Sequence, residues 1–304
     1  MKETKNNSKS ILLLSITAII WGTTFVAQSA SAAYIEPFTF NCIRTIIAGF
    51  VLLPFLPYFA KRNAAVQKSE SRESSNKMLY LGSLCCGITL FIGGSFQQMG
   101  IQYTTAGKAG FLTALYIVLV PIVGIFFRKK VKLLVWISVV LSFIGMYFLC
   151  ITESFSIVAS DLFIIVAALA YTVHILIVDY FSPKVESVKM SCLQFFVCGI
   201  LSGGMMLLVE EPQISQILAA KIPILYAGVL SSGIADTFQI VAQKNVNPVI
   251  ASLIMSAESV VAALSGFIIL QEMLTMREVF GCLLMFGAII LTQLPEKKVD
   301  NGYN

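Results

Sequence analysis

Apolar residues run along this chain in stretches of about twenty, separated by short polar turns. Ten such stretches can be read, at 11–31, 37–59, 78–101, 105–127, 133–152, 161–180, 188–209, 222–243, 248–270 and 277–294. Runs of this length are the signature of membrane-spanning helices. The pattern therefore predicts an all-α membrane protein of ten transmembrane helices. The connections are mostly short, and the longest polar stretch, 60–77, is far too short for a soluble domain.

The pattern also repeats. A shift of 142 residues lays spans 3–5 on spans 8–10. Ser95-Phe96-Gln97 then falls on Thr237-Phe238-Gln239, Ala109 on Ala251, Gly124 on Gly266 and Gly145 on Gly287. Matches of Leu or Val count for little in so apolar a sequence, whereas a Phe-Gln pair and two glycines at one constant shift count for more. Each half, 1–152 and 153–304, holds five spans, an odd number, so the two halves must cross the membrane in opposite senses. Lys130 at one helix end matches Glu272 at the other, as inverted ends require. The expectation is two inverted five-helix repeats around a central cavity, with a transport site near the midplane.

Composition agrees with this class. Of 304 residues, 57% are hydrophobic and 12% charged, with a mean hydropathy of +0.85; a soluble domain carries about 25% charged residues. The net charge of +5 does not point to nucleic acid, because the basic residues sit at helix ends and in one set of loops. With the amino terminus in the cytoplasm, 17 of the 21 Lys and Arg residues fall on that side, among them Lys2, Lys5, Lys9, Lys61, Arg62, Arg128, Lys129 and Lys130. The other side holds Lys108, Lys221 and Arg277, and Arg44 lies within a span. By the positive-inside rule both termini are cytoplasmic. The basic amino terminus and Ala30-Ser31-Ala32 resemble a signal peptide, but the intervening apolar run is longer than the usual 7–15 residues, so it is read as the first helix. The seven cysteines lie in apolar segments without metal-binding spacing, which suits small core residues.

One carboxylate stands out. In 251–275, ASLIMSAESVVAALSGFIILQEMLT, Glu258 sits inside what reads as one long apolar helix. Pro248 is its start, and ten residues at about 1.5 Å each place Glu258 roughly 15 Å deep, the middle of a ~30 Å hydrocarbon layer. An ionisable group at that depth costs at least ~2.5 kcal/mol and faces a bundle interior or wet cavity. The 142-residue shift sets Tyr116 opposite it, at matching depth.

Particular residues carry a family resemblance along nearly the whole chain. They are Ala18-Ile19-Ile20-Trp21-Gly22-Thr23-Thr24-Phe25, Pro37 with Arg44, Ala109-Gly110-Phe111-Leu112-Thr113-Ala114-Leu115-Tyr116 with Pro121, and Glu258 with Leu270-Gln271-Glu272-Met273-Leu274-Thr275. Together they resemble the drug/metabolite transporter superfamily, in its EamA-like ten-helix branch. The resemblance implies a multi-pass carrier of small metabolites in the cytoplasmic membrane. The family often has Pro after the Glu of span 9, where this chain has Ser259, and Tyr171 stands in span 6 where a second Trp would complete the repeat.

The candidate substrate-binding residues are Trp21, Tyr116, Glu258, Gln97, Gln239 and Tyr171. Trp21 lies at mid-depth, where it either stacks on an organic solute or packs between helices. Gln97, Gln98 and Gln239 serve substrate or interhelical hydrogen bonds. Glu258, Asp236, His174 and Arg44 are the coupling or gating candidates. His174, the one histidine, titrates near neutral pH when unperturbed. Arg44, roughly 10 Å from the outer surface, is within snorkelling reach of it; the family resemblance implies a structural cation or gate there, and attraction of anions is the alternative. Gly93-Gly94, Gly203-Gly204 and Ala106-x-x-x-Gly110 are read as close-packing or hinge points, and Pro121 as a kink beyond Tyr116.

These readings predict a secondary transporter of small organic metabolites, amino-acid-like or otherwise polar or amphipathic, working by alternating access. Export and import both stay open, as do proton coupling and exchange. No cofactor, metal or nucleic acid is expected; the partners are the lipid bilayer and the solute. The alternatives are a membrane-embedded enzyme or a channel. An enzyme lacks its usual marks, since neither H-E-x-x-H nor G-x-S-x-G occurs, and without a Walker A pattern ATP is not hydrolysed by this chain. Scattered single polar groups suit an occluded site better than a continuous pore.

Overall fold

The computed structural model describes residues 2–59, 72–126, 133–150, 159–271 and 275–293, and among these every regular element is helical. The helices are α1 (Lys2–Ala32), α2 (Pro37–Leu52, continued by a 3₁₀ turn at Leu53–Phe55), α3 (Arg72–Ile101) and α4 (Ala106–Thr113 and Tyr116–Phe126). They continue with α5 (Leu133–Cys150), α6 (Ala159–Phe181) and α7 (Ser187–Val209). After a short helix at Ile214–Ala219 come α8 (Lys221–Gln243), α9 (Pro248–Met255 and Ala257–Ile269) and α10 (Met276–Gln293). Eight of them have segments long and apolar enough to cross a membrane, and the apolar parts of α5 and α10, Leu133–Gly145 and Val279–Leu291, are shorter. They occupy the places of the ten predicted spans. Ala30-Ser31-Ala32 is helical, and Ser31 is buried and accepts a hydrogen bond from Gln98 of α3 at 3.3 Å.

Burial runs opposite to that of a soluble protein. Ile200, Leu207, Leu208 and Ile268 stand exposed, while Gln28, Asn41, Arg44, Gln97, Asp236 and Glu258 are buried. With lipid outside, apolar side chains gain nothing by leaving the surface, and polar groups must find partners within the bundle. Asn41 illustrates the consequence: its Nδ2 donates to Ser95 of α3 at 3.2 Å and Ser202 of α7 at 3.0 Å, joining three helices.

Packing follows a regular scheme. α3 packs along α6 and α7, α8 along α1 and α2, α2 along α7, α5 along α10, and the first half of α4 along the second half of α9. Exchanging α1–α5 for α6–α10 turns this set of pairs into itself. The caps match as well: the Thr105 side chain caps α4 and the Asn247 side chain caps α9, 142 positions apart. Close approach is secured by small residues. A Cβ on Gly22 of α1 would lie 2.4 Å from Val261 Cβ of α9, and one on Gly110 would lie 2.8 Å from Ala262 Cβ. Gly204, expected as a packing point, has nothing within 4 Å.

Besides the 3₁₀ turn that continues α2, three helices are irregular within their length. The sequence reads α9 as one unbroken helix, but it is interrupted at Ser256, and α4 is interrupted at Ala114 and Leu115, the matching place. In α4 the Leu115 amide reaches Leu112 O and the Ile117 amide reaches Ala114 O, a tightened three-residue spacing. Pro121 lacks the N–H that would bond the carbonyl of Ile117, yet the break lies just before Tyr116 rather than beyond it as expected. α9 has no proline here. Instead the hydroxyls of Ser252, Ser256 and Ser259 donate back to the carbonyls of Val249, Leu253 and Ser256 at 2.8–2.9 Å, bonds that compete with the helix ladder. Ser259 thus acts where the family often places Pro. The third irregular helix is α8, π-helical over Tyr226–Asp236. Gly228 there meets α2, where a Cβ would lie 2.9 Å from Ile47 Cγ2 and 3.0 Å from Arg44 O. The pairing of Lys130 with Glu272 lies outside the described residues.

Candidate functional site

The interruptions of α4 and α9 and the π-helical stretch of α8 surround one cavity of about 60 Å³, enough for several waters. All nine residues singled out from the sequence line it: Trp21, Arg44, Gln97, Tyr116, Tyr171, His174, Asp236, Gln239 and Glu258. They come from α1, α2, α3, α4, α6, α8 and α9, so no pair of neighbouring helices could build the site alone.

At its centre, Tyr116 Oη donates to Glu258 Oε1 at 2.9 Å. Both are buried, at 2% and 3% exposure, and both open the second halves of interrupted helices. Glu258 lies in the first turn of the Ala257–Ile269 segment, whose positive dipole end stabilises negative charge. The break therefore converts a mid-helix position, hostile to a carboxylate, into a helix start that accepts one.

Opposite, Trp21 Nε1 donates to Asp236 Oδ1 at 2.8 Å. Neither reading of Trp21, stacking or plain packing, anticipated this bond across α1 and α8. Asp236 stands at the end of the π-helical stretch, where Thr17 of α1 donates to the Ala235 carbonyl at 3.1 Å. The glutamines form a separate group. Gln97 Oε1 accepts from Gln28 Nε2 at 2.9 Å and from Tyr171 Oη at 3.3 Å, and its Nε2 donates to Thr113 at 3.0 Å. Gln98 points away from the cavity and donates to Gln28 O and Ser31, tying α3 to α1. Tyr171 packs against Gly93, where a Cβ would lie 2.9 Å from its ring. His174 pairs its Nε2 with Gln194 Oε1 at 3.1 Å.

Arg44 turns inward. It does not snorkel to the surface; it is 5% exposed and lines the cavity. The small face of Gly94 admits its Nη2, which lies 2.8 Å from where a Cβ would stand.

Sequence reasoning missed Thr24, Phe25, Gln28, Leu90, Thr113, Ile175 and Ser231, which complete the lining. Gln28 carried a usable signal, as an amide inside an apolar span. Thr113 is set by the break that follows it. Among the described residues no cluster of three His, Cys, Asp or Glu side chains could hold a metal ion.

A profile of the EamA-like transporter family matches residues 8–151 and again 158–294. The chain belongs to the EamA-like transporter family. It is a multi-pass membrane transporter. It is 30% identical over 290 residues to an uncharacterized transporter of Archaeoglobus fulgidus, covering 92% of this chain and 84% of that one. It is 24% identical to the uncharacterized transporter YoaV of Bacillus subtilis, over 92% of this chain and 94% of the relative. A solved crystal structure, 16% identical, superposes with a TM-score of 0.72 over 94% of this chain and 96% of that one, a likeness of fold alone.

Proposed function

We propose that this transporter carries small polar or amphipathic organic metabolites, amino-acid-like solutes among them, across the cytoplasmic membrane by alternating access. The moving parts are two inverted five-helix halves, 1–152 and 153–304, with both termini in the cytoplasm. The observation that carries this reading is the buried cavity at two matched helix breaks, where Tyr116 meets Glu258. Discontinuous helices whose ends point at a midplane site are how secondary transporters hold polar solutes. The family's two successive matches and the self-consistent helix pairing support the halves, and the distribution of Lys and Arg supports the orientation.

The lining supports a solute with a polar end and an apolar body. Phe25, Leu90 and Ile175 face the cavity beside Arg44, Asp236, Gln239 and Glu258. Glu258 is the group we assign to proton coupling, because it is buried at the site and its bond from Tyr116 can be accepted by either protonation state.

The test is uptake and efflux in proteoliposomes of controlled pH, with a panel of amino acids, organic cations, purines and sugar phosphates. Saturable flux of one class is expected. Absence of any saturable flux across the panel, in either direction, removes the carrier reading.

A further inference from the structure

We propose that Arg44 is an anion subsite, which receives a single carboxylate of the transported solute. The inference rests on the carrier reading and adds a chemical requirement to it.

The guanidinium is held on one side only. Its Nε donates to Asn41 Oδ1 at 3.0 Å, and Asn41 is itself fixed by Ser95 and Ser202. The Phe40 ring lies under the group, 5.4 Å from Cζ to the ring centroid. Every one of these partners is neutral. Among the described residues the two Nη groups meet no acceptor and no carboxylate lies within 4 Å of them. Asp236 and Glu258 also line the cavity, but among the described residues neither forms a direct ion pair with the guanidinium. A buried cation with no ion-pair partner in contact is costly, and an anion bound to it directly offsets that cost. Arg44 with its unbonded donors lines the cavity proposed to hold the solute.

The geometry and charge choose the anion. A guanidinium presents two parallel N–H groups that match the two oxygens of a carboxylate. Among the described residues Arg44 is the only Lys or Arg lining the cavity, and two carboxylates line it as well. A phosphate dianion would need a second cation and would be repelled by Asp236. A monocarboxylate brings the least negative charge of the anions that can take both donors, and its amide or ester offers a neutral oxygen in place of the charged matched pair.

The experiment uses the full-length purified protein with Trp136→Phe, so that of the two tryptophans only Trp21, in the cavity wall, emits. Its fluorescence is titrated with valine, valinamide, isovalerate, isovaleramide, isobutylamine and glycerol 3-phosphate. The acids are expected to act at concentrations at least tenfold below their amides, and Arg44→Gln is expected to erase that difference, with Arg44→Lys intermediate. Equal action of acids and amides overturns the subsite, as does an Arg44→Gln protein that still prefers the acids. Tightest binding of glycerol 3-phosphate overturns the choice of a monocarboxylate. Were Arg44→Gln to misfold, the acid–amide comparison in the parent decides alone. Binding of amides and amines as tight as that of acids sinks only the subsite. Silence of Trp21 to every solute, together with no flux in proteoliposomes, sinks the carrier reading too.

Discussion

Tyr116 and Glu258 are 142 residues apart, the interval of the internal repeat, and are joined by a 2.9 Å hydrogen bond. Each opens the second half of a helix interrupted at the matching place. If the two halves rock against one another as proposed, this contact is among those strained or broken. Tyr116→Phe should lower stability by about 1.5–3 kcal/mol, the range for a hydrogen bond to a charged group, and should raise the KM of transport. Glu258→Gln keeps an acceptor for Tyr116 and should retain the fold, while flattening the pH dependence of flux. Thermal unfolding and flux measured between pH 5.5 and 8.5 check both variants, and an unchanged pH profile in Glu258→Gln would remove the coupling role.

Gly94 and Gly204 should behave oppositely when changed to Ala. A methyl group on Gly94 would lie 2.8 Å from both Arg44 Nη2 and Asn41 Oδ1, whereas one on Gly204 meets nothing within 4 Å. Gly94→Ala is expected to cost about 1–3 kcal/mol by overpacking and to weaken solute binding. Gly204→Ala should be neutral or stabilising by up to ~1 kcal/mol, as Ala favours the helix. Melting temperatures of the two variants in the same detergent decide the matter.

Trp21→Phe removes the indole N–H from Asp236 and leaves a buried carboxylate without its 2.8 Å donor. Loss of about 1–3 kcal/mol is expected, with partial recovery in the double variant Trp21→Phe, Asp236→Asn, since an amide is less costly to bury unpaired than a carboxylate. A double-mutant cycle on unfolding free energy measures this coupling; additive effects of the two changes would contradict it.

Two polar ties, one between α4 and α6 and one between α7 and α2, lie at the end where α2, α4 and α6 begin. Lys108 Nζ of α4 pairs with Asp161 Oδ2 of α6 at 2.8 Å. Glu210, at the end of α7, accepts from the Phe38 and Thr39 amides and the Thr39 hydroxyl at 2.7 Å each, and so caps α2. Glu210→Ala should cost about 1–2 kcal/mol, as lost N-caps do. It and Lys108→Ala should each raise the labelling rate of a cysteine introduced at Thr24 by an impermeant reagent added on that side. Unchanged labelling in both variants would show that the ties do not hold that side shut.

Gln271, just past the end of α9, adopts φ of 57°, the left-handed conformation that usually falls to Gly after a helix. Gln271→Gly should therefore stabilise the protein, by about 1 kcal/mol, and Gln271→Val should destabilise it. Thermal unfolding of the pair gives the sign.

Much of the fold is legible in the chain because a helix in lipid closes its own hydrogen bonds. Length and hydropathy then suffice to place spans, and the 1.5 Å rise converts a position into a depth. That arithmetic put Glu258, Tyr116, Trp21 and Asp236 inside the membrane, where a polar group must turn inward, and the 142-residue shift matched Tyr116 to Glu258 before any contact was known. The tertiary structure decided what depth cannot. Whether Arg44 turns to the surface or the interior depends on Asn41, Phe40 and the bare flank of Gly94, which lie on its own and a neighbouring helix. The break at Ser256 has no proline to announce it, because serine hydroxyls loosen a helix only where packing makes their back-bonding worthwhile. The π-helical stretch of α8 is met by α2 at Gly228 and by α1 at Ala235, contacts that no single span announces. Depth is a property of one helix, whereas direction and partnership belong to the bundle.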